Sequence, residues 1–345
     1  MDINSILRKD SISREDIISL LRIEDKKEID LLFARACEIR EQYLGNEIHL
    51  RGIIEFSNFC EQNCLYCGLR KGNGELRRYR MDDDLILNTA ELITQRGIKT
   101  IVLQSGEDSK FSCESIYNII RRIKSKGNTA ITLSLGERKF TEYEVWKEAG
   151  ADRYLLKHET SNPKLYSIYH QHQSLTARIK HLRFLKNAGY QIGSGNIIGL
   201  PHQTFEDIAG DILLCKRLDV DMASFSPYIP SPQTPYRNKK PADFLLTLKV
   251  MAAARIVLKQ VHIPATTALA TMDKNGRKMG LLAGANVIMP NFTPAVFSKR
   301  YRIYPHKKND SDINKSLDEL GRLARLFKLK ISNSRGDSLK SAIVH

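Results

Sequence analysis

The sequence predicts an α/β protein of the (βα)8 TIM-type barrel class, and three observations predict it. First, the 345 residues, 42% of them hydrophobic, are enough to build one large core. Second, after Gly45 short apolar, β-branched runs alternate with longer amphipathic segments. Third, glycines stand at several joints where a helix would end and a strand begin. Eight alternations of strand and helix make a parallel sheet that can close on itself.

The chain begins with a helical pattern that precedes this alternation. Residues 11–45 place apolar side chains at spacings of three and four, and Ser13 is positioned to cap the first helix. We therefore expect two helices here. The expected organisation is an N-terminal helical segment (1–45), the barrel (46–300) and a short C-terminal extension that closes it (301–345).

The barrel elements follow in order along the chain. The eight strand candidates are 48–57, 100–105, 130–135, 153–159, 191–199, 222–227, 263–268 and 285–290. The helical stretches between them are 82–96, 113–126, 141–148, 176–188, 204–218, 244–260 and 274–282. The glycines expected to end helices are Gly97, Gly127, Gly150, Gly189 and Gly284. In barrels of this kind, chemistry is located at the C-terminal ends of the strands.

Strand periodicity makes a sharper prediction in the fourth candidate, "YLLKHET". Residues 155, 157 and 159 share one face, so Lys157 and Glu159 point into the barrel if Leu155 does. Charged side chains inside a barrel need a partner or a ligand. His158 would then face outward and pack against helices.

Composition limits the classes of function. No run of about 18 apolar residues is present, and the first residues lack a secretory pattern, which predicts a cytoplasmic protein with no membrane association. Six cysteines are too few for a disulfide framework in a chain of this length. The net charge of +15 would suit a nucleic acid, but the basic residues are spread along the chain, so no nucleic-acid partner is expected.

Three cysteines after the first strand carry the strongest functional signal. Cys60, Cys64 and Cys67 stand in "SNFCEQNCLYCG", and the next Cys or His is Cys113, far away on a predicted helix. Structural zinc requires four ligands. An iron-sulfur cluster held by three thiolates instead leaves one iron free for a small molecule, so we expect a metal centre of catalytic type.

This C-x3-C-x2-C spacing, with Tyr66 before the last cysteine, resembles the radical S-adenosylmethionine (radical SAM) superfamily. The resemblance implies a 4Fe-4S cluster on the three cysteines and S-adenosylmethionine (SAM) as second cofactor, cleaved reductively to a 5′-deoxyadenosyl radical. "QSGED" resembles the superfamily's Gly-Gly-Glu element, so Gly106 and Glu107 would face the methionine ammonium; Ser105 replaces the first glycine. "GNIIGLP" resembles the adenine-contacting stretch, which implicates Gly199 and Leu200 beside Tyr66.

Longer stretches resemble one subfamily, the FeFe-hydrogenase maturases of the HydE family, over about residues 45–305. They include "RGIIEFSNFCEQNCLYCGLR", "TLSLGE", "WKEAGADRYLLKHET" and "GANVIMPNFTP". The resemblance implies action on a cysteine-bound iron complex with carbonyl and cyanide, in assembly of the hydrogenase di-iron subcluster. Further SAM contacts implied by matching segments are Thr132, Ser134, Glu159, Arg178 and Tyr301. The implied substrate contacts are Gln104, Lys157, Met222, Thr266, Thr267 and Tyr304.

Two departures from that family affect the expectation. The family has an arginine where this chain has Lys157, which keeps the charge but loses forked recognition of an anion. Residues 300–345 contain no cysteine, so a second cluster is not expected. On a barrel strand the hydroxyls of Thr266 and Thr267 would alternate, and at most one would face the cavity.

The implied partners are a small organometallic or amino-acid-derived substrate, a reductant such as ferredoxin or flavodoxin, and other hydrogenase maturation proteins. Biotin synthase is disfavoured because no strand candidate contains a cysteine for an additional cluster. A methylornithine synthase-like mutase remains an alternative, as does a basic, zinc-containing nucleic-acid binder. His170 and His172, in "YHQHQS", are interpreted as part of a polar loop.

Overall fold

A computed structural model describes residues 3–307 and 312–340. Its N-terminal part is helical: a short α1 (Ile3–Leu7) is followed by α2 (Arg14–Arg22) and α3 (Lys26–Leu44). The two predicted helices and the predicted cap are confirmed, because the Ser13 hydroxyl accepts a hydrogen bond from the Asp16 N–H and the Asp16 carboxylate accepts one from the Ser13 N–H.

The eight predicted strands are found at their expected positions but agree less well in length, and a further short strand at 330–331 was not predicted. The first predicted strand is interrupted at Arg51 and forms two segments, and the fourth and the last two are short. In chain order the strands are β1 (Glu47–Leu50), β2 (Gly52–Ser57), β3 (Thr100–Ser105), β4 (Ala130–Ser134), β5 (Arg153–Leu155), β6 (Gln191–Ile198), β7 (Met222–Pro227), β8 (Pro264–Ala265), β9 (Val287–Ile288) and β10 (Lys330–Ile331).

All of the strand pairs are parallel. Strands β2 to β7 form one sheet in chain order, and a second sheet has the order β10-β1-β9-β8. Single parallel bridges connect the two sheets, from Met222 in β7 to His262 just before β8 and from Ile53 in β2 to Asn291 just after β9. The two sheets thus follow one another around the TIM-type barrel that was predicted, and single bridges join them at their edges.

Helices occupy the seven predicted ranges, and four further helices in the described part of the chain, at 163–169, 267–272, 295–298 and 313–326, were not predicted. They are α4 (Asp83–Gln95), α5 (Cys113–Ser125), α6 (Phe140–Glu148), α7 (Pro163–Tyr169), α8 (Leu175–Asn187), α9 (Phe205–Arg217), α10 (Phe244–Leu258), α11 (Thr267–Met272), α12 (Gly276–Leu282), α13 (Ala295–Ser298) and α14 (Ile313–Leu326). The five glycines predicted at the helix ends all have positive φ. Among the described residues, no helix is both long and apolar enough to cross a membrane.

The predicted strand over 263–268 is wrong beyond Ala265. Thr266 is the N-cap of α11, its hydroxyl accepting a hydrogen bond from the Leu269 N–H, and Thr267 is the first residue of that helix. The expectation that their hydroxyls alternate across a strand is therefore also wrong. A threonine that caps a helix gains a local hydrogen bond that a strand does not offer.

The C-terminal part of the chain contacts both ends of the barrel. Ile303 accepts a hydrogen bond from the Gly68 N–H at the C-terminal ends of the strands. At the opposite end, Asp337 pairs with Arg153 at 2.6 Å and Arg335 pairs with Asp152 at 2.5 Å. The three-part division of the chain, including a C-terminal extension that closes the barrel, stays a prediction.

Candidate active site

The cysteine loop leaves β2 at the C-terminal end of the barrel and is fastened there by hydrogen bonds. The Ser57 hydroxyl donates to Asp108 at 2.6 Å, the Leu65 N–H donates to the Tyr169 carbonyl at 3.0 Å, and the Gly68 N–H donates to Ile303 at 2.7 Å. Because these anchors lie along its length, the loop is held over the barrel rather than in solvent.

Cys60, Cys64 and Cys67 all line one cavity of about 350 Å³. Burial raises the pKa of the Cys60 thiol, raises that of Cys64 well above its usual value, and raises that of Cys67 to about 12. Buried thiols that repel one another as thiolates need a strongly cationic centre to hold them deprotonated. Three such thiols on one tight loop fit a 4Fe-4S cluster, which takes one cysteine at each of three corners.

No group of three His, Cys, Asp or Glu side chains in the described ranges converges on one point, as a single metal ion would require. The corners of a cluster are farther apart, so the three cysteines that line the cavity need not converge in that way.

Gly106 and Glu107 lie against the cysteine loop at the end of β3. A Cβ on Gly106 would lie 2.2 Å from the Phe59 carbonyl oxygen, so only glycine fits there. The Glu107 carboxylate accepts hydrogen bonds from the Gln62 amide at 2.5 Å and from the Glu137 N–H at 3.1 Å. Burial raises the pKa of Glu107, although Arg178 opposes the shift.

Arg178 reaches the same cavity from α8. Its Nε lies 2.7 Å from Glu137 Oε1, its Nη2 lies 3.8 Å from Glu107 Oε1, and its Nη1 donates to the Lys157 carbonyl at 3.3 Å. The guanidinium is buried and anchored by carboxylates, so it presents a fixed positive charge to the cavity.

Leu155, Lys157 and Glu159 all line the cavity, as predicted, although β5 ends at Leu155 and Leu156 lines the cavity as well. Lys157 Nζ lies 3.4 Å from Glu159 Oε2, and that oxygen is buried with no hydrogen bond from any described residue. The pair faces the interior, and Glu159 keeps an acceptor available for a ligand. His158 is fully buried on the other side, with Nδ1 3.0 Å from the Ser194 hydroxyl.

The remaining predicted residues that line this cavity form its other walls. Gln104 donates to the Tyr301 hydroxyl at 3.4 Å. The predicted residues that share the lining with these two are Tyr66, Ser134, Thr266, Thr267 and Tyr304.

Four predicted residues do not line this cavity. Thr132 and Met222 lie deeper, in a small neighbouring cavity with Arg51. The contact of Thr132 with SAM is thus not supported by its position. Gly199 and Leu200 lie outside the cavity lining. The Gly199 N–H donates to the Gln203 side chain, and Leu200 packs in the apolar cluster that contacts Tyr66.

Sequence reasoning missed an ion pair at the cavity. Glu55 in β2 pairs with Lys307, and the Glu55 carboxylate also accepts a hydrogen bond from the Asn291 amide at 2.9 Å. Both charged side chains are more than 90% buried. Glu55 is a charged residue within a predicted strand, as Lys157 is, so strand periodicity could have indicated it. No local sequence signal indicates Lys307.

His170 corrects the interpretation of "YHQHQS" as a polar loop. It is 3% exposed and ends α7, with its Nδ1 3.3 Å from Cys64 Sγ and its Nε2 3.2 Å from the Tyr66 hydroxyl. Burial lowers the pKa of His170 to about 3. His172, two residues later, is exposed as predicted.

Comparison with known proteins agrees with this geometry. Residues 54–215 match the family model of the Radical SAM superfamily, a range that contains the cysteine loop and Arg178. The [FeFe] hydrogenase maturase subunit HydE of Thermotoga maritima is 49% identical over 301 residues, covering 87% of this chain and 86% of that protein. This chain belongs to the radical SAM superfamily.

Two further relatives place this radical SAM enzyme within its superfamily. The 3-methylornithine synthase of Methanosarcina acetivorans is 29% identical over 80% of this chain and 79% of that protein. The crystal structure of methylornithine synthase (PylB) superposes with a TM-score of 0.84 at 22% identity, covering 99% of both chains. The latter similarity shows that the fold is shared; HydE is closely related in sequence as well.

Proposed function

We propose that this radical SAM enzyme acts in FeFe-hydrogenase maturation, on a cysteine-bound iron complex carrying carbonyl and cyanide. One observation carries the proposal: the cysteine loop opens into the same cavity as Lys157, Thr266, Thr267 and Tyr304. A reactive species formed at the loop would therefore meet a molecule enclosed by those side chains. The 49% identity to HydE supports this choice of reaction.

Cys60, Cys64 and Cys67 would hold the cluster, and the wall beside it would hold SAM. When bound, the cluster supplies the electron that cleaves SAM to methionine and a 5′-deoxyadenosyl radical. The Gly106 and Glu107 segment is suited to the methionine ammonium, and Arg178 is suited to the carboxylate through its forked donors. Glu159 offers an acceptor with no hydrogen bond from a described residue, and Tyr66 and Ser134 border the same space.

The substrate would lie on the far side of SAM, deeper in the barrel. Lys157 and Lys307 both reach this cavity, each paired with one glutamate, while Gln104 and Tyr304 add polar groups. An anionic complex would gain from the two ammonium groups, although each keeps a carboxylate neighbour. With SAM and the substrate bound, the barrel walls would separate the radical from bulk water.

A reductant such as ferredoxin or flavodoxin would deliver the electron at the loop, and other maturation proteins would supply or receive the iron complex. We infer a cytoplasmic setting for this chemistry, because the three thiols must remain reduced before they bind iron.

The first test is reductive SAM cleavage by anaerobically reconstituted protein. We expect the wild type to bind about four iron atoms per protein chain and to release 5′-deoxyadenosine. Cys64→Ser should lose both the bound iron and the 5′-deoxyadenosine release. Cys113→Ser is the matched control, because Cys113 lies on α5, outside the cavity. Cleavage by Cys64→Ser at the wild-type rate would refute the role of the loop.

The second test addresses the substrate. The rate or the products of SAM cleavage should change when the cysteine-bound iron carbonyl/cyanide complex is added and should not change with lysine. Consumption of lysine instead would support the methylornithine synthase-like alternative and would overturn the maturase proposal.

A further inference from the structure

We propose that His170 donates a hydrogen bond from Nδ1 to the sulfur of Cys64 and thereby raises the reduction potential of the cluster that this cysteine helps to hold. This inference rests on the cluster of the proposed function and adds a residue outside the cysteine motif that sets its electronic properties. His170 is a positioning residue, because it would act through the sulfur ligand.

The contact is built into the fold. Tyr169, the last residue of α7, accepts the Leu65 N–H at 3.0 Å, and the next side chain, His170, lies against Cys64 and Tyr66. Three successive residues of the cysteine loop are thus held by two successive residues at the end of one helix.

Stacking fixes the plane of the imidazole. The Tyr166 ring lies parallel to it, with 4.4 Å between ring centroids and an interplanar angle of 20°, while the Tyr66 ring meets it edge-on. The ring therefore has little freedom to turn away from the loop, and both ring nitrogens remain directed at loop side chains.

The chemistry of the two neighbours assigns the proton on the ring. A cysteine that ligates iron is a thiolate and can only accept a hydrogen bond. The ring nitrogen that faces the thiolate, Nδ1, must therefore carry the hydrogen, and in the neutral imidazole this leaves the lone pair at Nε2. The Tyr66 hydroxyl, 3.2 Å from Nε2, is a donor that fits this assignment. Every group in the chain from Tyr66 to Cys64 is then satisfied.

The expected effect follows from charge. Adding an electron makes the cluster and its sulfur ligands more negative, and an N–H dipole directed at one of them stabilises that state more than the oxidised one. Hydrogen bonds to ligand sulfurs are one of the levers that set such potentials. Loss of the bond should therefore make the cluster harder to reduce.

The test is a redox titration of reconstituted protein monitored by electron paramagnetic resonance. His170→Leu should shift the midpoint potential to a more negative value, and His170→Gln, whose amide can still donate, should shift it less. His172→Leu is the matched control two residues along the same loop, on an exposed side chain, and should keep the wild-type potential. Tyr66→Phe should also leave the potential near wild type, since Nδ1 still donates.

Iron and sulfide contents separate the possible failures. If wild type holds no cluster, the proposed function fails. If wild type and His170→Leu hold equal amounts and have equal potentials, only the present inference is overturned. A shift in Tyr66→Phe as large as that in His170→Leu would also overturn it, because loop position rather than the hydrogen bond would then set the potential.

A measurement on the wild type covers the case in which His170→Leu does not retain iron. Protein labelled with ¹⁵N only in histidine, reduced without SAM, should show a weak ¹⁵N hyperfine coupling to the cluster by pulsed electron paramagnetic resonance. The coupling should disappear in His170→Gln. Absence of any ¹⁵N coupling in wild type would contradict the hydrogen bond.

Discussion

Two glycines at this site, Gly106 and Gly136, lie so close to neighbouring atoms that no larger residue fits. Gly106 lies where any side chain would meet the Phe59 carbonyl, and Gly136 has a φ of 71° and a position where a Cβ would lie 1.9 Å from Glu107 Cγ. At Gly106 the backbone packs against the cysteine loop, and at Gly136 it packs against the Glu107 side chain. The sequence alone marked Gly106 through its motif, but it did not indicate why Gly136 is glycine.

Gly106→Ala should displace the cysteine loop and reduce the iron retained after reconstitution severalfold, because the new methyl group would overlap the Phe59 carbonyl. The measurement is iron per protein together with the absorbance of the cluster. Gly74→Ala is the matched control, since a Cβ there meets no atom within 4 Å; equal iron contents in the two variants would contradict the steric argument.

Glu55 and Lys307 show the cost of burying charge. Each is the partner of the other, so removing one leaves an uncompensated charge. Glu55→Gln and Lys307→Met should each lower the free energy of unfolding by about 3 kcal/mol. The double variant should be more stable than the sum of the two losses predicts. Urea denaturation of the four proteins measures the coupling; strict additivity would show that the pair does not interact.

At the scale of elements, local capping and turn signals predicted the helices well and the strands less well. The predicted helix ranges agree with the observed ones to within two residues at most ends, because caps such as Ser13 and the positive-φ glycines are encoded locally. The short β8 was extended wrongly over Thr266 and Thr267, since a β-branched pair favours a strand in isolation, whereas here it begins the next helix.

Ser13→Ala should lower the free energy of unfolding by about 1 kcal/mol, because the Asp16 N–H loses its acceptor at the start of α2. Thermal denaturation followed by circular dichroism measures the loss. Ser19→Ala on the same helix is the control: its hydroxyl only donates to the Glu15 carbonyl, four residues back, and its effect should stay within about 0.5 kcal/mol. Equal losses would argue against the cap.

At the scale of the whole molecule, His262 lies where the ring of strands is joined. Its backbone bridges to Met222 in β7, its Nδ1 is 2.9 Å from the Asn286 amide, and its Nε2 is 3.3 Å from the Asp337 carbonyl. These partners suit a neutral ring that accepts at Nδ1 and donates at Nε2. Burial, with Arg51 nearby, lowers the pKa of His262 well below its usual value.

Stability should therefore fall as the pH falls below about 6.5, the usual pKa of histidine. The unfolded chain binds a proton there that the folded chain does not, so the free energy of unfolding rises with pH across this window. Between pH 6.5 and 5, wild type should lose about 1.5 kcal/mol more than His262→Gln. Urea denaturation at the two pH values provides the comparison; parallel losses would mean that His262 titrates normally in the folded protein.

Local sequence signals predicted the alternation of strands and helices, the cysteine motif and the inward direction of Lys157 and Glu159, although β5 ends before both of these residues. Each of these depends on residues close together in the chain, where periodicity, capping and spacing are encoded directly. The folded barrel was needed to show that Lys307 pairs with Glu55, that His170 touches Cys64, and that Thr132 lies away from the cavity shared by the cysteines. Those relations join residues that are distant in sequence, and only packing and charge pairing in the folded chain bring them together.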